Sequence, residues 1–125
     1  MNELKTDLTG RLMADVDPRL LEFLKGKIDS FVKWDLARFF HENPYTTDTA
    51  TNIAGYAGRS VEAIKTDLAE LAESGVLNEN RLGDMTVYSL TADPEVRELL
   101  EKFVKASEDR QFRVKAIYHI IQGTR

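Results

Sequence analysis

The chain has 125 residues, a length that favours one domain around one core. Hydrophobic residues make up 42% and charged residues 30%, a globular balance that excludes disordered and membrane-embedded classes. Cysteine is absent, which removes disulfides, thiolate metal sites and cysteine nucleophiles, and the net charge of −4 is unlike that of a non-specific DNA coater.

The first residues, MNELKTDLTGRLMADVD, mix charges and lack the apolar run of a signal peptide. No stretch approaches the roughly 18 apolar residues of a membrane helix. A cytoplasmic protein without membrane contact is therefore expected. Leu4, Leu8, Leu12 and Val16 recur every four residues and predict an amphipathic first helix, weakened at Gly10. Asp17 and Pro18 form a clearer start, because proline's missing N–H is not needed in a first helical turn. Leu20, Leu21, Leu24 and Ile28 make the buried stripe of that helix. The next helix begins with Asp29 or Ser30 as cap and exits at Pro44. Phe31, Val32, Leu36, Phe39 and Phe40 cover a wide face of it, with Trp34 beside them. So broad a face predicts a second packing partner, either the N-terminal helix or another subunit.

Thr47 or Asp48 is expected to cap a short helix running to about Ala57, with Gly58 supplying the left-handed residue that ends it. Ser60 starts the following helix and Gly75 ends it. A two-stranded ribbon follows from Leu77, turning at the RLGD tetrapeptide. Asp93 and Pro94 open a long C-terminal helix with apolar stripes at Val96, Leu99, Leu100, Phe103, Val104 and at Val114, Ile117, Ile120, Ile121. Ser107 to Arg110 interrupt the apolar face, and a kink or split is expected there.

Helix, short helix, turn, helix and ribbon, in that order, resemble the winged helix-turn-helix domain of bacterial regulators of the MarR and ArsR types. The resemblance runs from about Phe31 to Leu90. Ile53 and Ala54 stand at the buried pair of the positioning helix, and Gly58 at the turn. Val61, Ile64, Leu68 and Leu71 stand at the buried positions of the recognition helix, and ESGVL at the exit into the wing. The implied fold class is mainly α: a three-helix core with a two-stranded wing, an N-terminal extension of one or more helices, and a long C-terminal helix. The implied organisation is residues 1–30 as a helical extension for dimerisation, 31–91 as the winged domain, and 92–125 as a second dimerisation helix. A homodimer on double-stranded DNA is the implied assembly.

On a helical wheel Val61, Ile64, Leu68 and Leu71 face the core, so Arg59, Glu62, Ala63, Thr66, Glu70 and Glu73 point outward with Lys65 on a flank. Residues early in a recognition helix meet base edges. The expected DNA contacts are therefore Arg59, Ser60, Glu62, Ala63, Lys65 and Thr66, with Arg81 of the ribbon on the adjacent backbone. Charge opposes this. Residues 47–91 carry −4, against −1 before them and +1 after them. Arg110, Arg113, Lys115 and Arg125 either reach phosphate beside the groove or balance Glu108 and Asp109 on a solvated face.

His41 and His119, the two histidines, have no metal spacing, so no metal or cofactor is expected. Paired carboxylates such as Glu70 and Glu73 lack an apolar pocket to shift their pKa. No catalytic constellation emerges, and a non-enzymatic protein is expected. Two alternatives stand beside a transcriptional regulator reading a pseudo-palindrome. One is a protein-interaction module that does not bind DNA. The other is an effector sensor with a small-molecule pocket built from Phe23, Phe31, Trp34, Phe39 and Phe40.

Overall fold

A computed structural model describes residues 16–123. The expected helix through Leu4, Leu8 and Leu12 lies outside the described residues. From Pro18 onward the order is α1 (Pro18–Lys27), α2 (Phe31–Glu42), β1 (Thr47–Thr49), α3 (Ala50–Ala57), α4 (Val61–Glu73), β2 (Leu77–Leu82), β3 (Met85–Leu90), α5 (Pro94–Ala106) and α6 (Arg110–Gly123). The described chain is mainly helical with one small antiparallel sheet.

Local chemistry sets most helix starts. The Asp17 carboxylate accepts from the Arg19 amide at 2.9 Å, and the Asp93 carboxylate accepts from the Glu95 amide at 3.0 Å, each with proline next in sequence. Ser30 and Ser60 cap α2 and α4, accepting from the Lys33 and Ala63 amides. Gly58 closes α3 in the left-handed region at φ 70°, where a side chain would be strained.

The sheet departs from the expected two-stranded ribbon. It has three strands in the order β1-β3-β2, because Thr47, Asp48 and Thr49 pair with Ser89, Tyr88 and Val87. Thr47 and Asp48 are therefore strand residues, and Thr49 caps α3 by accepting from the Asn52 amide at 3.3 Å. The physical reason is that β3 has a second edge, and a third strand satisfies its backbone groups. The hairpin itself turns over two residues, Leu82 facing Met85. Gly83 holds φ 63° at the first turn position while Asp84 keeps a negative φ, the combination a type II′ turn requires.

The C-terminal helix splits at the expected interruption into two helices, α5 and α6. The Ser107 hydroxyl donates back to the Phe103 carbonyl at 2.7 Å, and the Asp109 carboxylate accepts from the Gln111 amide at 3.1 Å to begin a new helix. The Arg113 guanidinium donates to the carbonyls of Ser107 and Glu108, both at 2.9 Å, and so covers the end of α5. α6 returns onto α1, where Val16 and Leu20 share a cleft with Phe112 and Lys115. His119 belongs to this contact: burial, then the nearby Lys25 charge, holds its imidazole below the usual range.

One apolar core joins all of this. It contains Leu20, Phe23, Leu24 and Ile28 of the α1 region, Leu36 and Phe40 of α2, and Ile53 and Ala54 of α3. Ile64, Leu68, Leu71, Tyr88, Leu90, Leu100, Phe103 and Phe112 also belong to it, so it takes in residues on both sides of positions 30 and 91. Phe103 sits among aromatic rings, 5.3 Å from Trp34 and 6.3 Å from both Phe23 and Phe112.

Candidate nucleic-acid interface

The face in question is the outward side of α4 together with the β2–β3 hairpin. Burial of Ile64, Leu68 and Leu71 fixes the rotation of α4, and Val61 packs partly against the same core. Ser60, Glu62, Ala63, Lys65 and Thr66 are all exposed, so the structure brings these five together at the N-terminal half of one helix. Ala63 and Thr66 are small there, which lets the backbone approach a partner closely. Arg81 is exposed on β2.

Arg59 is placed differently from the wheel expectation. Its guanidinium turns back to α2, and its Nε donates to the Asp35 carboxylate at 2.9 Å. Its side chain keeps one third of its surface exposed, at 33%. Glu70 is exposed as expected, but it is paired with α2. It accepts from the Lys33 ammonium at 3.2 Å, while Asp29 holds the same ammonium at 2.7 Å. Lys33 is 6% exposed. Burial alone would lower its pKa, but the hydrogen bonds it donates to Asp29 and Glu70 outweigh it and the net direction is upward, so Lys33 stays charged. Asp67 also faces α2, accepting from the Ser30 hydroxyl at 3.0 Å. The reason for the departure is reach: long side chains on a flank bend toward an opposite charge that a wheel does not represent.

Two of the four acids of α4 are thus engaged with α2. Among the described residues, Lys65 and Arg81 are the cations of this face without an ion pair. Glu62, Glu73, Glu79 and Asp84 stand against them. Glu73 and Glu79 line a groove of about 690 Å³ between the end of α4 and β2, floored by Ala69 and Ala72. Glu79 also accepts from the Tyr88 hydroxyl; burial and this carboxylate push the phenol up to about 12.

Among the described residues, the aromatic set is spread over different surroundings. Phe23 and Phe40 are core residues, and Phe31 is exposed. Trp34 borders a cavity of about 470 Å³ with Arg38 and Arg113, whereas Phe39 borders a different one with Tyr56. His41 lies in the last turn of α2 with its Nδ1 buried and unpartnered. Among the described residues no cluster of three His, Cys, Asp or Glu could hold a metal ion, and no helix is long and apolar enough to cross a membrane. Arg113 is taken up by the end of α5, and Arg125 lies outside the described residues.

Sequence reasoning missed the pairs of Asp35 with Arg59, in the turn before α4, and of Lys33 with Glu70 of α4. Their local signals were a lysine and an aspartate between apolar residues early in α2, and the four-residue spacing of Asp29 and Lys33. Compared by sequence, the chain matches no protein-family model and no curated protein.

Proposed function

We propose that this chain is a winged helix-turn-helix protein that reads duplex DNA in the cytoplasm as a homodimeric transcriptional regulator. The observation that carries the reading is the face built by α3, the Gly58 turn, α4 and the tight hairpin. Its first helical turns present Ser60, Ala63, Lys65 and Thr66, while Asp67 and Glu70 are held by α2. Small and polar residues at the start of such a helix suit close approach to base edges, and Glu62 can accept from a cytosine amino group. Two copies related by a two-fold axis would read half-sites about one helical turn apart. Arg81 would contact the neighbouring phosphate backbone.

A second reading, a winged helix that binds a basic protein, is favoured by the groove between Glu73 and Glu79. That groove repels phosphate, so the two readings place their ligands at opposite ends of α4.

The Arg59–Asp35 pair gives a test. In Asp35→Ala the guanidinium is released and one negative charge removed next to the docking face. Duplex affinity at low salt is expected to rise by roughly threefold to tenfold, with a salt slope steeper by about 0.9 for one added phosphate contact. Unchanged affinity, measured by fluorescence anisotropy over a salt series, would remove Arg59 from the interface.

A further inference from the structure

Away from α4, the corner where α2 meets β1 and α3 carries an arrangement that the DNA reading does not use. Phe39, Asn43, Thr46, Thr47, Asp48 and Tyr56 line a cavity of about 460 Å³. The Tyr56 ring stacks on Phe39 with centroids 5.9 Å apart and planes 14° apart. Tyr56 nevertheless remains 62% exposed, so its other ring face is open. Tyr45 occupies the turn closed by the Thr46 amide on the Asn43 carbonyl, both cavity residues, and it is 95% exposed.

Asp48 is fixed within this aromatic setting. Its Oδ1 accepts from the Thr49 amide at 2.8 Å and from the Asn52 side chain at 2.7 Å. Its Oδ2 accepts from the Tyr56 hydroxyl at 3.1 Å. A carboxylate offers about four acceptor positions, so one remains on Oδ2, on the Tyr56 side. The Asn52 hydrogen bond, then the Thr49 amide, holds the group below the usual carboxylate range, so it is ionised. Among the described residues it has no cationic partner.

We propose that this corner is a docking site for a basic protein segment, with an arginine guanidinium stacked on the open face of Tyr56 and donating one N–H to Asp48 Oδ2. Charge complementarity selects the occupant. A planar cation satisfies both the exposed ring face and the unneutralised carboxylate, whereas a phosphate or an acidic peptide meets repulsion. Arginine fits better than lysine because its plane matches the ring. β1 adds a place for the segment's backbone, since among the described residues it is an edge strand with β3 on one side only. The inference is independent of DNA binding.

The test is an amide and aromatic NMR titration of the full chain with N-acetylarginine amide, with N-acetylnorleucine amide and adenosine as comparators. Shifts confined to Phe39, Thr47, Asp48 and Tyr56 are expected with the arginine compound alone. Asp48→Asn and Tyr56→Leu, each first shown to keep the wild-type circular dichroism spectrum, should weaken it by about threefold or more. Equal shifts with norleucine, a response to adenosine alone, or no response at this corner would each overturn the proposal.

Discussion

Phe103→Ala is expected to destabilise the fold by about 3–5 kcal/mol, the range for truncating a fully buried aromatic ring. Phe103 has no exposed surface and touches the rings of Phe23 on α1, Trp34 on α2 and Phe112 on α6. Its loss therefore opens a cavity where three other helices meet, and no single neighbour can collapse into it. Trp34 is the one tryptophan in the chain, and it packs edge-on to Phe103. Its emission should report the change directly in the folded state. Urea unfolding followed by that fluorescence should show a lowered midpoint. A loss below about 1 kcal/mol would mean that α5 does not pack as described.

The second large effect concerns binding. Replacing both Arg59 and Lys65 by alanine should abolish specific duplex binding while leaving the fold and any dimer intact. Lys65 is exposed, and Arg59 shares an ion pair with a half-exposed Asp35, so neither supports the core. Exposed pairs of this kind contribute at most about 1 kcal/mol to stability. By contrast, losing the Lys65 phosphate contact, with any that Arg59 makes on leaving Asp35, would reduce the salt slope by about 0.9 to 1.8 per protomer, on a face with few other cations. Retained affinity with an unchanged slope would place the DNA elsewhere or nowhere.

Features set by neighbours in sequence were legible. Asp17–Pro18, Ser30, Ser60 and Asp93–Pro94 start helices as read, because a cap bonds an amide only two or three residues ahead. Gly58 and the tight turn at Gly83 were legible for the same reason. β1 was not, since Thr47 finds its partner at Ser89, far along the chain. Threonine also caps helices, so local reading, with Thr47 or Asp48 as cap, began α3 one or two residues early. The break after Ala106 was visible as a gap in the apolar stripe, but its completion depends on Arg113 reaching back to two carbonyls.

The candidate site divides the same way. Which residues of α4 are buried follows from periodicity, and Ile64, Leu68 and Leu71 are buried as expected. What stands opposite the flanks does not. Glu70 stands outward on a wheel, and only the structure shows that Lys33 of α2 is its partner. Arg59 looked free until Asp35 took its guanidinium. A wheel gives the direction of a side chain but not the identity of its neighbour.

The most direct measurement is selection from the sheared genomic DNA of the source, at low and then moderate salt, with sequencing of what stays bound. Enrichment of a few pseudo-palindromic sites that survives moderate salt is the predicted result. It would place the acidic end of α4 outside the groove. No enrichment at either salt would contradict DNA reading and direct attention to the Glu73 and Glu79 groove as a protein-binding face.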